Sequence, residues 1–268
     1  MTRKFDPREL MDGAALLAST ANVVMQLAQP PVGYGVVESR VESGQVMRHP
    51  VRRIRTTVTY LSVAFGGTAE ERGYCRREVN RAHALVRSTE SSPVRYSAFD
   101  PRLQLWVAAC LYRGTLDMRT LLHGPADEAT ADAIYQACRR IGTTLQVPQD
   151  MWPTDRAAFE RYWASALAGI RIDPPVRDYL DRLIGLEYLP WPVSAAFGPV
   201  NRFLTAGFLP QPFRDQMGLG WTERDQQAFA LVIRAVAVAG RMLPGPVTRL
   251  PFNACLADLR LRRRLRAG

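Results

Sequence analysis

The sequence predicts an all-α protein that folds as a single large domain over residues 1–268. Apolar residues recur every three or four positions along nearly the whole chain, whereas the period-two alternation that marks strands is hard to find. Prolines and glycines stand at the borders of these periodic segments, where they start and stop helices. The chain is 47% hydrophobic and has no internal repeat or low-complexity linker, so it can bury one sizeable core.

Four helices are expected in the first third of the chain. Pro30-Pro31 should stop the first of them, Gly66-Gly67 closes the third, and Thr68 caps the fourth. Their approximate ranges are 7–29, 34–38, 50–66 and 68–87.

Six more helices are expected in the remainder, joined by proline-rich connectors such as residues 189–192. The first five begin at a proline, an aspartate or a threonine, residues that favour the start of a helix. Their approximate ranges are 101–121, 127–145, 155–168, 174–186, 222–242 and 256–266.

The net charge of +10 favours an acidic partner such as a phosphate backbone or an anionic lipid, and only the tail from Arg260 to Arg266 forms a dense basic run. A basic helical protein that binds nucleic acid or an anionic membrane is therefore one hypothesis. Against nucleic acid, no helix-turn-helix signature or interleaving of aromatic and basic residues occurs. The N-terminus lacks a secretory signal and the apolar stretch 228–240 is interrupted by Arg234, so we expect a cytosolic protein, with peripheral membrane contact left open.

The four cysteines lie far apart and form no CxxC pair, which excludes the usual zinc and thioredoxin-like motifs. We therefore expect Cys75, Cys110, Cys138 and Cys255 to be buried thiols. Walker, GxGxxG, GxSxG and HExxH motifs are absent too, so nucleotide-binding, serine hydrolase and zinc protease functions have no support in the sequence.

His83 is the histidine whose spacing turns it toward the core, because Val79 at i−4 and Val86 at i+3 share its helix face. A histidine in this setting is more often a satisfied core residue than a metal ligand, and both interpretations stay open. His49 and His123 lie in a loop and at a helix end, where surface or capping roles are the simplest.

A second cluster lies on the preceding helix, where Arg53, Thr57 and Tyr60 stand at i, i+4 and i+7 on one face. The spacing alone favours the polar edge of an amphipathic helix. The alternative is a polar patch that faces a cofactor pocket, where the guanidinium would donate hydrogen bonds to an anionic group.

Five ordered motifs resemble the rubber-oxygenase (latex-clearing protein) and MpaB-type family of haem-dependent oxygenases. Together they cover residues 13–221 in the family's order, and their combination is far more specific than any one of them. They are VMQLAQPPV at 24–32 with Gly35-Val36, RIRTT at 53–57 continuing through Tyr60 to Phe65-Gly66, VNRAHALV at 79–86, YSAFDP at 96–101 with LWV at 105–107, and LTAGFLP at 204–210 with Arg214 and GLGW at 218–221.

The resemblance implies a helical, globin-like core that binds haem b, with His83 as the proximal ligand of the iron. It implies that Arg53 and Thr57 form the polar distal side of the pocket and act in catalysis, with Tyr60 beside the cofactor on the same helix face. Glu38 has two interpretations, a distal base near the pocket or, more simply, a solvent-facing glutamate at a helix end. The implied activity is oxidation of a hydrophobic, isoprenoid or lipid-like molecule with dioxygen, as in cleavage of a carbon–carbon double bond. A haem- or gas-binding protein without turnover is the alternative.

The chain departs from the family's pattern at four positions. Gln29, Ser39 and Ala108 stand where the family often has histidine, and Thr56 stands where latex-clearing proteins have a distal lysine. A lysine-capped iron is therefore not expected here.

Overall fold

A computed structural model describes residues 5–267, and it confirms the all-α class: the described part of the chain contains helices, three short 3-10 segments and no strand. One isolated antiparallel bridge joins Arg87 to Ser97. The helices are α1 Ser19–Leu27, α2 Pro30–Val37, α3 Pro50–Gly66, α4 Ala69–His83, α5 Pro101–His123, α6 Glu128–Thr143, α7 Arg156–Leu167, α8 Pro174–Ile184, α9 Trp191–Phe208, α10 Gln211–Met217, α11 Glu223–Met242, α12 Gly245–Thr248 and α13 Leu250–Ala267.

Side-chain caps explain why most of the predicted helix starts are correct. The side chains of Asp100, Asp127 and Asp155 each accept a hydrogen bond from a backbone N–H in the first turn of the helix that follows. Thr68 and Thr222 each form a reciprocal capping box with the acidic residue three positions later. These local bonds satisfy amide groups that the first turn of a helix leaves unpaired.

The predicted helix over 7–29 is wrong in its first half, because that segment contains two 3-10 segments, Pro7–Leu10 and Gly13–Ala18, before α1 begins. The carboxylates of Asp6 and Asp12 accept hydrogen bonds from the amides two residues later and so start each short turn separately. Pro30 does end the first helix, but it and Pro31 occupy the first turn of α2, where a missing amide hydrogen costs nothing.

α9 and α10 were not predicted, and the segment 189–192 is a connector only up to Pro190. Pro192 lies in the first turn of α9, where proline is tolerated, and Pro199 lies inside the same helix. The prolines of this segment therefore predicted a connector where a helix forms, because tertiary packing outweighs the local cost of one lost hydrogen bond. Gly198, for example, lies so close to α8 that an added Cβ would stand 2.8 Å from the carbonyl oxygen of Gly185.

The core centres on α5, whose buried Tyr112 contacts an aromatic cluster from α6, the 144–155 segment and α7. Tyr112 and Phe159 meet edge to face with ring centroids 4.6 Å apart, and Trp106 stacks on Trp163 at 5.3 Å. Cys75, Cys110 and Cys138 are buried free thiols, as expected, whereas Cys255 is only half-buried. No helix in the described range is long and apolar enough to cross a membrane.

α4 ends at His83 rather than near Arg87, so His83 is its last residue and Val86 lies in the turn beyond it. The helix stops because the amide groups of residues 85 and 86 bond only to carbonyls three residues back, and residues 87–97 then form a hairpin-like loop closed by the Arg87–Ser97 bridge. The globin-like arrangement that the resemblance implied stays a prediction.

Candidate functional site

The first two turns of α3 are exposed on every side, which is unusual for a helix in the middle of a chain. Residues 51–56 are all exposed, including the apolar Val51 and Ile54. The second half of α3 is packed, since the Ser62 hydroxyl donates to the carbonyl of Phe252 at 3.1 Å and Val63 lies among apolar residues of α13. A helix that is rigidly held at one end and uncovered at the other leaves room beside its first turns for a non-protein group.

Arg53 lies in this uncovered half. Its Nη1 donates to the Thr57 hydroxyl at 2.9 Å, and that hydroxyl donates in turn to the Arg53 carbonyl at 3.1 Å. No carboxylate within the described residues pairs with the guanidinium. Water reaches the side chain, yet surrounding protein desolvates the guanidinium and lowers its pKa. Because the guanidinium is exposed and has no acidic partner, it is available to bind an anionic group.

His83 stands close enough to Arg53 for their charges to interact. Burial lowers the pKa of His83, and the positive charge of Arg53 lowers it further, so the imidazole is neutral at neutral pH. Its Nδ1 is buried and has no hydrogen-bond partner in the described structure. Phe99 meets the ring edge-on, with centroids 6.4 Å apart. A neutral, apolar-walled imidazole with an unsatisfied nitrogen has the properties of a metal ligand.

Tyr179 on α8 belongs to the same site and was missed by sequence reasoning. Burial raises the pKa of its phenol, while the guanidinium of Arg53 opposes that shift, so the two groups lie close enough for their charges to interact. The reciprocal effect is present too, because the phenol of Tyr179 raises the pKa of Arg53 against the effect of burial. No motif marked this residue: only the packing of α8 brings a position 126 residues away toward Arg53.

A chain of side-chain amides holds the end of α4 in place. Asn80, one turn before His83, accepts a hydrogen bond from Gln146 at 2.7 Å. Gln146 also accepts from the side chain of Gln104, and its backbone N–H donates to the Gln104 side-chain oxygen at 2.9 Å. Gln104 is buried and also donates to the carbonyl of Ala98, close to Phe99. The network thus fixes both sides of the His83 ring environment.

Two of the predicted site residues are engaged elsewhere. The carboxylate of Glu38 accepts from the hydroxyls of Ser92 at 2.6 Å and Tyr96 at 2.7 Å, which ties α2 to the loop after His83. The hydroxyl of Tyr60 donates to the carbonyl of Ile141 on α6, which ties α3 to α6. The structure therefore brings Arg53, Thr57 and His83 together, and it gives Glu38 and Tyr60 bonds that hold helices and loops together.

The structure also shows the surroundings of the four residues that stand where the family often has histidine or lysine. Gln29 donates to the carbonyl of Ala166 at 3.3 Å, the Ser39 hydroxyl accepts from the amide of Val41, and Ala108 is buried in the core. The Thr56 hydroxyl donates to the Arg53 carbonyl at 2.9 Å and is exposed. Thr56 consequently has neither the length nor a free donor to occupy the space beside His83.

These donors suit haem better than a metal ion bound by protein alone. Within the described residues no group of three or more His, Cys, Asp and Glu side chains could hold a metal ion. A single neutral imidazole is sufficient for haem, because the porphyrin supplies the other four nitrogen ligands. Arg53, which has no acidic partner in the described structure, would suit the anionic propionates of haem.

Comparisons with known proteins agree with the motifs. Residues 8–238 match the family described as "ER-bound oxygenase mpaB/B'/Rubber oxygenase, catalytic domain". The chain is similar to an uncharacterised protein of Mycobacterium tuberculosis, with 51% identity over 249 residues that cover 93% of this chain and 98% of the relative. An uncharacterised protein of Mycobacterium bovis matches with the same identity and coverage. No solved structure matches the chain. The matched range contains every residue of the candidate site, and the chain belongs to the mpaB/rubber-oxygenase family of oxygenases.

Proposed function

We propose that the protein is a haem b-dependent oxygenase that oxidises a hydrophobic, isoprenoid or lipid-like molecule with dioxygen. The observation that carries the proposal is the buried Nδ1 of His83, which has no partner and lies beside an arginine that has no acidic partner. A buried polar atom without a partner is rare in a folded chain, so the His83 nitrogen favours a bound group, and the exposed Arg53 is available to an anionic part of that group. Membership of an oxygenase family supports dioxygen as the co-substrate.

Haem, when bound, would supply the activation of dioxygen. The chain's own residues provide its setting. His83 would hold the iron through its neutral imidazole, kept neutral by burial and by the charge of Arg53. Arg53 would hold a propionate or stabilise a developing negative charge, with Thr57 fixing the direction of its guanidinium through the 2.9 Å bond. The phenol of Tyr179, which burial keeps protonated, would supply a further hydrogen-bond donor near Arg53.

The experiment that tests the cofactor compares substitutions of two histidines. The purified protein, produced with an adequate haem supply, should show a Soret band with one haem per chain. His83→Ala should lose that band, and His49→Ala should keep it, because His49 is exposed and makes no side-chain cap bond. A native spectrum in the His83→Ala variant would refute the ligand assignment.

The distal side should be open to small ligands. Thr56 replaces the lysine of the latex-clearing proteins, and its hydroxyl already bonds to its own helix. We therefore expect a water-ligated or five-coordinate ferric protein that binds cyanide or imidazole readily. A resting low-spin spectrum with two nitrogen ligands would contradict this expectation.

Arg53→Ala should weaken haem retention or abolish oxygen consumption with a prenyl substrate, while the helical circular dichroism stays close to that of the unaltered chain. Arg52→Ala is the matched control, since Arg52 is exposed on the same turn. Haem binding without any oxygen consumption, in the unaltered chain, would favour the haem- or gas-binding alternative. Normal oxygen consumption by Arg53→Ala would show that Arg53 has no part in the site.

A further inference from the structure

The positive charge of the chain is concentrated near its C-terminus. Residues 226–268 contain eight arginines and one aspartate, so they carry seven of the chain's ten net positive charges. This segment forms most of α11, the short α12 and all of α13. Its acidic residue, Asp258, already pairs with Arg262 at 2.7 Å.

The same segment exposes an unusual amount of apolar surface. At the corner between α11 and α13, Met242 is 81% exposed and Leu250 is 62% exposed. The outward faces of the two helices extend this surface. We call the whole set the α11–α13 surface: Leu231, Val232, Val238, Met242, Leu243, Val247, Leu250, Leu261 and Leu265.

This surface is not needed for folding, because each helix has a second apolar face that packs inward. α11 buries Phe229, Ile233 and Ala237, and α13 buries Leu256 and Leu259. The exposed residues follow their own helical spacing on the opposite side: 231, 235, 238 and 242 stand at i, i+4, i+7 and i+11. An exposed apolar stripe that the fold does not use is typical of a surface that binds a partner.

Arginines border the apolar residues. Arg234 and Arg241 lie two turns apart along one edge of the α11 stripe, and Arg264 borders the leucines of α13. None of the three forms an ion pair within the part of the chain that the structure describes. Arg260 and Arg263, by contrast, pair with Glu71 and Glu70 and anchor α13 to α4.

We propose that the α11–α13 surface docks the protein onto an anionic lipid bilayer. Apolar side chains bordered by arginines and lacking exposed acids match the interface of such a bilayer, where apolar groups enter the acyl boundary and guanidinium groups meet the phosphates. A second copy of the chain is disfavoured as the occupant, because apposing two such surfaces would bring their arginines together. An anionic lipid surface offers a partner to both the apolar side chains and the arginines of this surface.

The test is co-sedimentation with vesicles of phosphatidylcholine alone or with added phosphatidylglycerol. Binding should be at least about tenfold stronger to the phosphatidylglycerol vesicles and should fall as salt is raised. Met242→Gln with Leu243→Gln should lose most of the binding, and so should Arg241→Gln with Arg264→Gln. All four positions are exposed, so circular dichroism and melting temperature should not change.

The matched control is Trp191→Gln with Phe197→Gln on α9, which removes comparably exposed apolar residues, 79% and 59%, from a helix half without arginines. This variant should bind as the unaltered chain does. Equal binding to both vesicle types, or an equal loss in the α9 control, would overturn the proposal. So would a dimer in light scattering that the Met242 and Leu243 changes convert to monomer, because the surface would then join two copies.

Discussion

Replacing Gln146 with leucine would test whether the amide network fixes the end of α4. The change removes two side-chain hydrogen bonds, one with Gln104 and the 2.7 Å bond to Asn80. Gln104 keeps its bonds to Ala98 and to the Gln146 backbone, so Asn80 alone loses its partner. At about 1 kcal/mol for each lost bond, the free energy of unfolding should fall by about 2 kcal/mol. For a chain of this size that corresponds to a melting temperature lower by roughly 4–8 °C.

Gln211→Leu is the matched control, because Gln211 also makes two side-chain hydrogen bonds, to Asp215 and Arg214, but is exposed. Its melting temperature should change by about 1–2 °C at most, since exposed bonds are replaced by water. Both proteins would be followed by circular dichroism on heating. Equal shifts for the two variants would refute the claim that the buried network stabilises the fold. On the proposed function, Gln146→Leu should also release haem to an apomyoglobin trap faster than the control does.

Three further outcomes are expected. Gly207→Ala would place a Cβ 2.3 Å from the ring of Phe229. The resulting overpacking should reduce the free energy of unfolding by about 1–3 kcal/mol in a denaturant titration. An unchanged denaturation midpoint would contradict that contact. Phe159→Ala removes a fully buried ring from the aromatic cluster and should cost about 3–5 kcal/mol in the same assay, with a cost below that of Gly207→Ala arguing against the cluster's importance. The hydrogen bond from Arg260 holds the pKa of Glu71 below its usual value, so its contribution to stability is present above the ordinary carboxylate pKa and is lost as the pH falls through the lowered one. At pH 7 the free energy of unfolding of Glu71→Gln should therefore be lower than that of the unaltered chain by about 2 kcal/mol. This difference should disappear in acid. A difference that does not change with pH would show that the charge of Glu71 does not contribute to stability.

Much of the helix content was predictable because it depends on local chemistry. Thr68, Asp127 and Asp155 cap helices through bonds to amides no more than three residues away, and such bonds are visible in the sequence. α9 was not predictable in the same way. Its prolines argue against a helix locally, and what compensates is the close approach of Gly198 to α8, which a single sequence does not reveal.

The same distinction between local features and contacts between helices applies to the candidate site. The motifs pointed to Arg53, Thr57 and His83, and the short hydrogen-bonded pair of Arg53 and Thr57 follows directly from i, i+4 spacing on one helix. The approach of Arg53 to His83 and to Tyr179 depends on how three helices pack, so no periodicity could show it. The same holds for the bond of Tyr60 to α6, because it joins two helices that are distant in the sequence.

The packing of α13 against α3 has a consequence for biosynthesis. The inner side of α3 is completed by Phe252, whose carbonyl meets Ser62 across 190 residues of sequence, and α13 lies beyond the range that matches the family. During synthesis, α3 therefore lacks this packing partner until Phe252 and the rest of α13 have emerged from the ribosome. Contacts of such long sequence separation form late and slowly. Insertion of a cofactor beside Arg53 should accordingly follow translation rather than accompany it, and clipping of α13 from a finished molecule should loosen a site that α13 does not touch directly.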